Sequence, residues 1–347
     1  MHASAIKIVK RLALLVLLSQ LLGCGDEFGV TASSASEVKQ LTEGQVTGID
    51  SPFDGAITVF RGLPYAEPPV GDLRWQAPQP PANWSGVRVA DTFADSCHQP
   101  RHSSSFVWRR EDFSVSEVCL YRDFWAAESA ESLPVMVGFH GGSHVSGQGH
   151  SLIFDGTTLA QHDVLVVTIN YRLGPLGFLA HPWLSEEAAS DSAVGTSGNY
   201  GLMDKIAALQ WVKRNIEVLG GDPQNVTIFG QSAGSQSVCS LMTAPSAQGL
   251  FHQAIGQPAA CVNQLTKADA NGHERGQALV NALGASSIED LRGAEPDALL
   301  VAMTKSNWES ESRIVIDGRV LPRWPHEVFA AGEQSDIPLM LGFLADE

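Results

Sequence analysis

The pentapeptide Gly230-Gln231-Ser232-Ala233-Gly234 sets a serine between glycines, with the apolar run NVTIF before it and the helical stretch SQSVCSLMTA after it. In that strand, turn and helix context the spacing permits a sharp, strained corner that lifts the Ser232 hydroxyl above a sheet, where it can attack an acyl carbon. The start of the helix serves the same chemistry, because its unpaired N–H groups and its dipole favour negative charge beside the serine. An oxyanion formed by such an attack needs donors already aimed at it, and the backbone N–H of Ala233 is one candidate. The others are expected from a glycine turn elsewhere. His140-Gly141-Gly142-Ser143, at the end of an earlier apolar run, is such a turn, with Gly142 and Ser143 as N–H donors. His140 and His144 flank it and are expected to shape the pocket rather than to act as the base.

These groups need a scaffold, and the order of elements supplies one. LPVMVGF and DVLVVTINYR are nearly continuous apolar runs rich in valine, which suits strands covered on both faces in a mainly parallel sheet. Leu202, Ile206, Leu209, Ile216 and Leu219 keep a helical spacing, and Gly220-Gly221 ends it, so a crossover helix is expected there. FHQAIGQ and IPLMLGF read as later strands, with helices around ERGQALVNALG and PDALLVAM. Strands and helices alternate, the order of an α/β protein. The 347 residues suffice for one globular unit, and no linker, repeat or low-complexity run divides the chain after about residue 40.

The N-terminus reads differently. Lys7, Lys10 and Arg11 precede an apolar stretch from Leu12 to Leu22 that is too short to span a bilayer, the pattern of a signal peptide. Leu21-Leu22-Gly23-Cys24 resembles a bacterial lipobox, which makes Cys24 a lipidated first residue after cleavage of residues 1–23, and residues 24–40 a polar tether. The expectation is an exported protein anchored by lipid in the bacterial envelope, on the periplasmic or outer-membrane face. Cys97, Cys119, Cys239 and Cys261 remain, an even number for an oxidising compartment. Two disulfides are expected; pairing neighbours closes short loops, although four cysteines allow three connectivities. Against 22 Lys+Arg stand 38 Asp+Glu, and the formal charge of −16 opposes nonspecific binding to nucleic acid.

Beyond the two turns, the stretches FRGLPYAEPPVGDLRW, EVCLYRDFW, LPVMVGFHGGSHVSGQG, VVTINYRLGPLGFLA, GNYGLMDKIAALQWVKRNIEVLGGDPQNVTIFGQSAG and GLFHQAIGQ resemble, in order, the type-B carboxylesterase family of cholinesterases and bacterial para-nitrobenzyl esterases. The resemblance covers nearly everything after residue 41. It implies an α/β-hydrolase fold over residues 41–347, with a mostly parallel central sheet and helices on both faces, lacking the C-terminal strands and helices. It implies hydrolysis of small-molecule esters through an acyl-enzyme on Ser232, with no metal or cofactor. It also implies a Cys97–Cys119 disulfide, and it places the family's triad acid at Glu347 in the closing GFLADE. The family's catalytic histidine lies in a segment beyond Glu347, so these 347 residues alone are expected to be inactive, the loss of such a base costing about 10⁶ in turnover. A noncatalytic, neuroligin-like binding protein is the other reading, although such relatives typically lose the nucleophile that Ser232 retains.

Several positions depart from the family pattern. The third glycine of the usual turn is Ser143, and the aromatic residue that commonly follows is His144, which is expected to make the entrance more polar. Pro258 stands where a serine usually helps hold the acid, and EVCLYRD replaces EDCLYLN, putting Val118 in place of an acid and adding Arg122 and Asp123. Trp108, in the loop between Cys97 and Cys119, lies near where cholinesterases hold a quaternary ammonium by cation–π attraction.

Overall fold

The computed structural model describes residues 35–101, 113–191, 195–258, 261, 265–310 and 313–345. Eight strands form its main sheet: β1 (Ile49–Asp50), β2 (Ile57–Pro64), β3 (Tyr121–Ala127), β4 (Leu133–Phe139), β5 (Leu165–Ile169), β6 (Gly221–Gln231), β7 (Gln253–Gln257) and β8 (Leu339–Leu341). In space they run β8-β7-β6-β4-β5-β3-β2-β1. Every pairing from β8 to β5 is parallel, and those joining β5, β3, β2 and β1 are antiparallel. The fold is therefore the expected α/β-hydrolase sheet, mostly parallel, with one antiparallel flank. That flank was not apparent in the sequence, because the charged pair Arg122-Asp123 interrupts the apolar pattern of β3. Both side chains are buried: Arg122 places its guanidinium 3.0 Å from the Trp211 ring centroid, and Asp123 accepts a 2.8 Å bond from the Gly62 amide.

Among the helices are α1 (Gly174–Phe178), α2 (Pro182–Asp191), α3 (Tyr200–Asn215), α4 (Ala233–Thr243), α5 (His273–Leu283), α6 (Pro296–Lys305) and α7 (Pro325–Ala331). The residues whose spacing predicts the crossover helix, Leu202, Ile206, Leu209, Ile216 and Leu219, are all buried. Helix α3 ends in a 3₁₀ turn, Ile216–Leu219, and Gly220 closes it in the left-handed region at φ 92°. A side chain there would meet the Ala130 carbonyl, so glycine is required both for the angle and for the space.

One boundary differs from expectation. Residues 35–40, read as part of the tether, belong to the folded unit: Ala35 bridges to Ile49, and Lys39–Gln40 pairs antiparallel with Gln45 and Val46. At the other end β8 is an edge strand, and Met340, Leu341, Phe343 and Leu344 are exposed on and beyond it. Cys97 is bonded to Cys119, and Cys239 to Cys261, so neighbours pair. The second bridge ties α4 to the segment after β7, and the first closes a loop whose flank is fixed by Arg74, which donates from Nε to Glu117 at 2.7 Å. Among the described residues no helix is long and apolar enough to cross a membrane.

Candidate active site

Parallel pairing places β4 beside β6, with Phe139 opposite Gly230, so both strands end at the same edge of the sheet. In an open α/β sheet that carboxyl edge is where ligands bind. The chain leaving β6 turns at once into α4, and Ser232 sits at the corner with φ 56° and ψ −122°, a region costly for any residue with a Cβ. Its glycine neighbours make the corner possible. A Cβ on Gly234 would fall 2.0 Å from the Phe139 carbonyl oxygen, and one on Gly230 would fall 2.5 Å from the Gly234 carbonyl carbon. The Ser232 amide is not free for an oxyanion, since it donates to the Pro258 carbonyl at 3.1 Å. Pro258 therefore steadies the corner through its carbonyl, a contact open to any residue at that position. Ser232 itself is half-buried, and its hydroxyl makes no hydrogen bond among the described residues.

The glycine turn lies directly against this corner. A Cβ on Gly141 would come within 3.3 Å of the Ser232 Cβ, so the backbone of the turn passes close to Ser232. At Gly142, φ is 100° and a Cβ would meet the Ser146 carbonyl oxygen at 2.1 Å, which excludes any side chain. Ser143 and His144 follow at φ 55° and 59°, so two successive non-glycine residues adopt left-handed backbone, at a cost of roughly 1–2 kcal/mol each. The Gly142 carbonyl accepts the amides of Val145 and Ser146, both at 3.0 Å, which fixes the turn. Among the described residues the amides of Gly142, Ser143 and Ala233 donate no hydrogen bond, and Gly142 and Ser143 are exposed. The structure thus brings together Ser232, Ala233, Gly142 and Ser143. Glu347, Trp108 and Cys24 lie outside the described residues.

Neither flanking histidine faces the opening. His144 is 2% exposed rather than lining a polar entrance as its sequence position implied. Its Nε2 lies 3.1 Å from the Ser237 hydroxyl, which donates its own hydrogen to the Ala233 carbonyl, so His144 must be the donor in that pair. Burial lowers its pKa well below the ordinary value, and it acts as a neutral tie between the glycine turn and the first turns of α4. His140 is likewise buried, which pushes its pKa down to about 3. Its ring stacks on Tyr171 at 4.2 Å, and the Tyr171 hydroxyl donates to the His140 carbonyl at 2.7 Å. His150, another buried histidine, is enclosed by Phe93, Phe113, Ser96 and Asn170, and makes no hydrogen bond to Ser232.

A carboxylesterase family model matches residues 35–347. The chain belongs to the carboxylesterase family. Among the similar family members, fumonisin B1 esterase of Sphingopyxis macrogoltabida is 39% identical, the match covering 89% of this chain and 56% of that protein. The para-nitrobenzyl esterase of Bacillus subtilis (strain 168) is 38% identical over 89% of this chain and 63% of that one. Solved carboxylesterases share the fold: a PNB esterase matches with TM-score 0.80 and 35% identity over 90% of this chain and 63% of its own. The carboxylesterase of Geobacillus stearothermophilus gives TM-score 0.79 and 36% identity, over 89% and 62%. The chain spans less than two thirds of the length of these carboxylesterases.

Some residues around the site were not singled out from the sequence. Arg172 and Asp204 form a buried pair, and Tyr171 carries the His140 stack. Lys205 is wholly buried in α3. Its position three residues after Leu202 and four before Leu209 put it on the apolar stripe of the crossover helix, and a charge on such a stripe was the available signal.

Proposed function

We propose that the full-length protein hydrolyses carboxylic esters of small molecules through an acyl-enzyme on Ser232. The hydroxyl oxygen attacks the ester carbonyl while a base takes its proton, the carbonyl oxygen becomes an anion, and its collapse expels the alcohol. Gly142, Ser143 and Ala233 would hold that anion through their free amides, and water would then release the acid by the same path. In this reading Glu347 orients the histidine that takes the Ser232 proton. The observation that supports the proposal is the close approach of the glycine turn to the strained, half-buried Ser232, a Cβ on Gly141 being within 3.3 Å of the Ser232 Cβ, together with the unengaged amides of Gly142, Ser143 and Ala233.

The expected result is covalent labelling of the full-length protein by a fluorophosphonate, with the modification mapped to the peptide carrying Ser232. A chain left unmodified by the reagent, yet well folded, would instead be the noncatalytic binding protein. We also propose that Cys24 is lipidated after export to the cell envelope, on the strength of the Leu21-Leu22-Gly23-Cys24 motif. Radiolabelled fatty acid should enter the protein in bacterial cells and should fail to enter a Cys24→Ala variant; equal incorporation in both would refute the anchor.

A further inference from the structure

Lys205 is the least expected residue near this site. It is 0% exposed, and its ammonium has three hydrogens to place, yet its hydrogen-bond acceptor is the Gly201 carbonyl at 3.2 Å. The neighbouring Asp204 is committed elsewhere: it accepts from Arg172 Nε at 2.9 Å, Nη2 at 2.7 Å and the Arg172 amide at 2.9 Å. The Lys205 Nζ rests instead 3.0 Å from the centroid of the Tyr171 ring. His140 stacks on that ring at 4.2 Å, with its plane inclined by 16°. Two groups so close to one ring centre cannot share a face, so Tyr171 is sandwiched between the lysine and the histidine that opens the glycine turn.

We infer that Lys205 is a positioning cation for the oxyanion site, its ammonium supporting the Tyr171–His140 stack from below and adding positive potential where the carbonyl oxygen of an ester becomes an anion. The inference rests on the esterase reading above. It explains why a buried amine with so few partners is present, since an ammonium in such a place costs folding free energy. It also accounts for the reach of the charge: Lys205 is among the groups that hold His140 and His144 below their ordinary pKa, after burial. A positive charge held near a developing anion stabilises the transition state, where the negative charge is greatest, more than the ground state. Lys205 itself touches no substrate; it acts through Tyr171 and His140.

The test uses Lys205→Met and Lys205→Gln in the full-length protein, reading kcat and KM on a chromogenic acyl ester, the fluorophosphonate labelling rate and Tm. The expected result is a fall in kcat of about 10- to 100-fold with KM within twofold, a matching fall in labelling rate, and a Tm for Lys205→Met equal to or above wild type. A structural role predicts the opposite pattern. If both variants melt well below wild type and lose activity only as they lose fold, or if kcat is unchanged, the inference is overturned.

The pH profile gives an independent reading. The groups facing Lys205 are Asp204 on its own helix, Tyr171 and Arg172 after β5, and His140 and His144 from the turn, with Arg313 acting on His144. Burial keeps both histidines neutral and raises Tyr171, so among these facing groups the one whose change of charge enters the profile is Lys205, whose pKa burial lowers well below its usual value. Wild-type kcat should therefore decline as pH rises through that lowered value, and both variants should lack this limb; a limb shared by all three proteins overturns the inference. A wild-type protein that never reacts with the fluorophosphonate would refute the esterase reading instead, whereas equal reaction of wild type and variants would refute the role of Lys205 alone.

Discussion

Ser232→Gly is expected to abolish ester turnover in the full-length protein while making the fold more stable. Removing the nucleophile of a serine hydrolase costs about 10⁶ in kcat, because the oxyanion donors and the binding site that remain give only residual catalysis over water. The stability gain has a separate cause. At φ 56° and ψ −122° the Cβ of Ser232 holds the backbone in a strained region, worth about 1–3 kcal/mol, which glycine relieves. Glycine gives back roughly 0.5–1 kcal/mol through the greater freedom of its unfolded chain, leaving a net gain of about 1 kcal/mol. Ser232→Ala is the control, since it keeps the Cβ and the strain but removes the hydroxyl. Thermal unfolding should rank Ser232→Gly above Ser232→Ala, with both equally inactive. A glycine variant that melts below the alanine variant would show that the corner carries no strain, and retained turnover in either would displace Ser232 as the nucleophile.

Asp204→Asn should carry the largest stability loss of any single substitution near the site that leaves the turn's own sequence intact. The Asp204 carboxylate is fully buried and receives the Arg172 guanidinium side-on, with Nη2 to Oδ1 at 2.7 Å and Nε to Oδ2 at 2.9 Å, together with the Arg172 amide. Burial works to lower the Arg172 pKa, and the charge and hydrogen bonds of Asp204 more than offset it. Removing one charge leaves a buried guanidinium uncompensated, and breaking pairs of this kind costs about 3–5 kcal/mol. For a chain of this size that corresponds to a fall in Tm of roughly 5–10 °C. Some loss of rate should accompany it. Arg172 begins the segment that reaches Gly174, whose amide donates to the His144 carbonyl at 2.7 Å, so the pair helps to hold the glycine turn against Ser232. A denaturation series showing a loss below about 1 kcal/mol would mean that the asparagine amide and nearby carbonyls satisfy Arg172 equally well.

The backbone geometry around Ser232 could be read from local pattern because each part of it is a local object. A strand run, two glycines and a helix start specify the corner, and Gly141-Gly142 specify a turn, since backbone angles and close approach depend on neighbours along the chain. The helical period of Leu202, Ile206, Leu209, Ile216 and Leu219 was equally plain, and all five are buried. Resemblance to known esterases added the fold and the first disulfide. His144 shows where this mode of reading stops: its position beside the turn suggested an open, polar entrance, but its partner Ser237 is 93 residues away and draws it inside.

The same holds for the groups that now matter most around the site. Arg172 meets Asp204 across 32 residues, and Lys205 meets Tyr171 only because α3 packs against the segment after β5. Sequence assigned the serine corner, the glycine turn and the alternation of strands and helices, all governed by contacts within a few residues. Packing alone settled which corners touch, how Cys239 and Cys261 pair, and where buried charges find partners, because those energies depend on distance in space and on exclusion of water, neither of which the order of residues records.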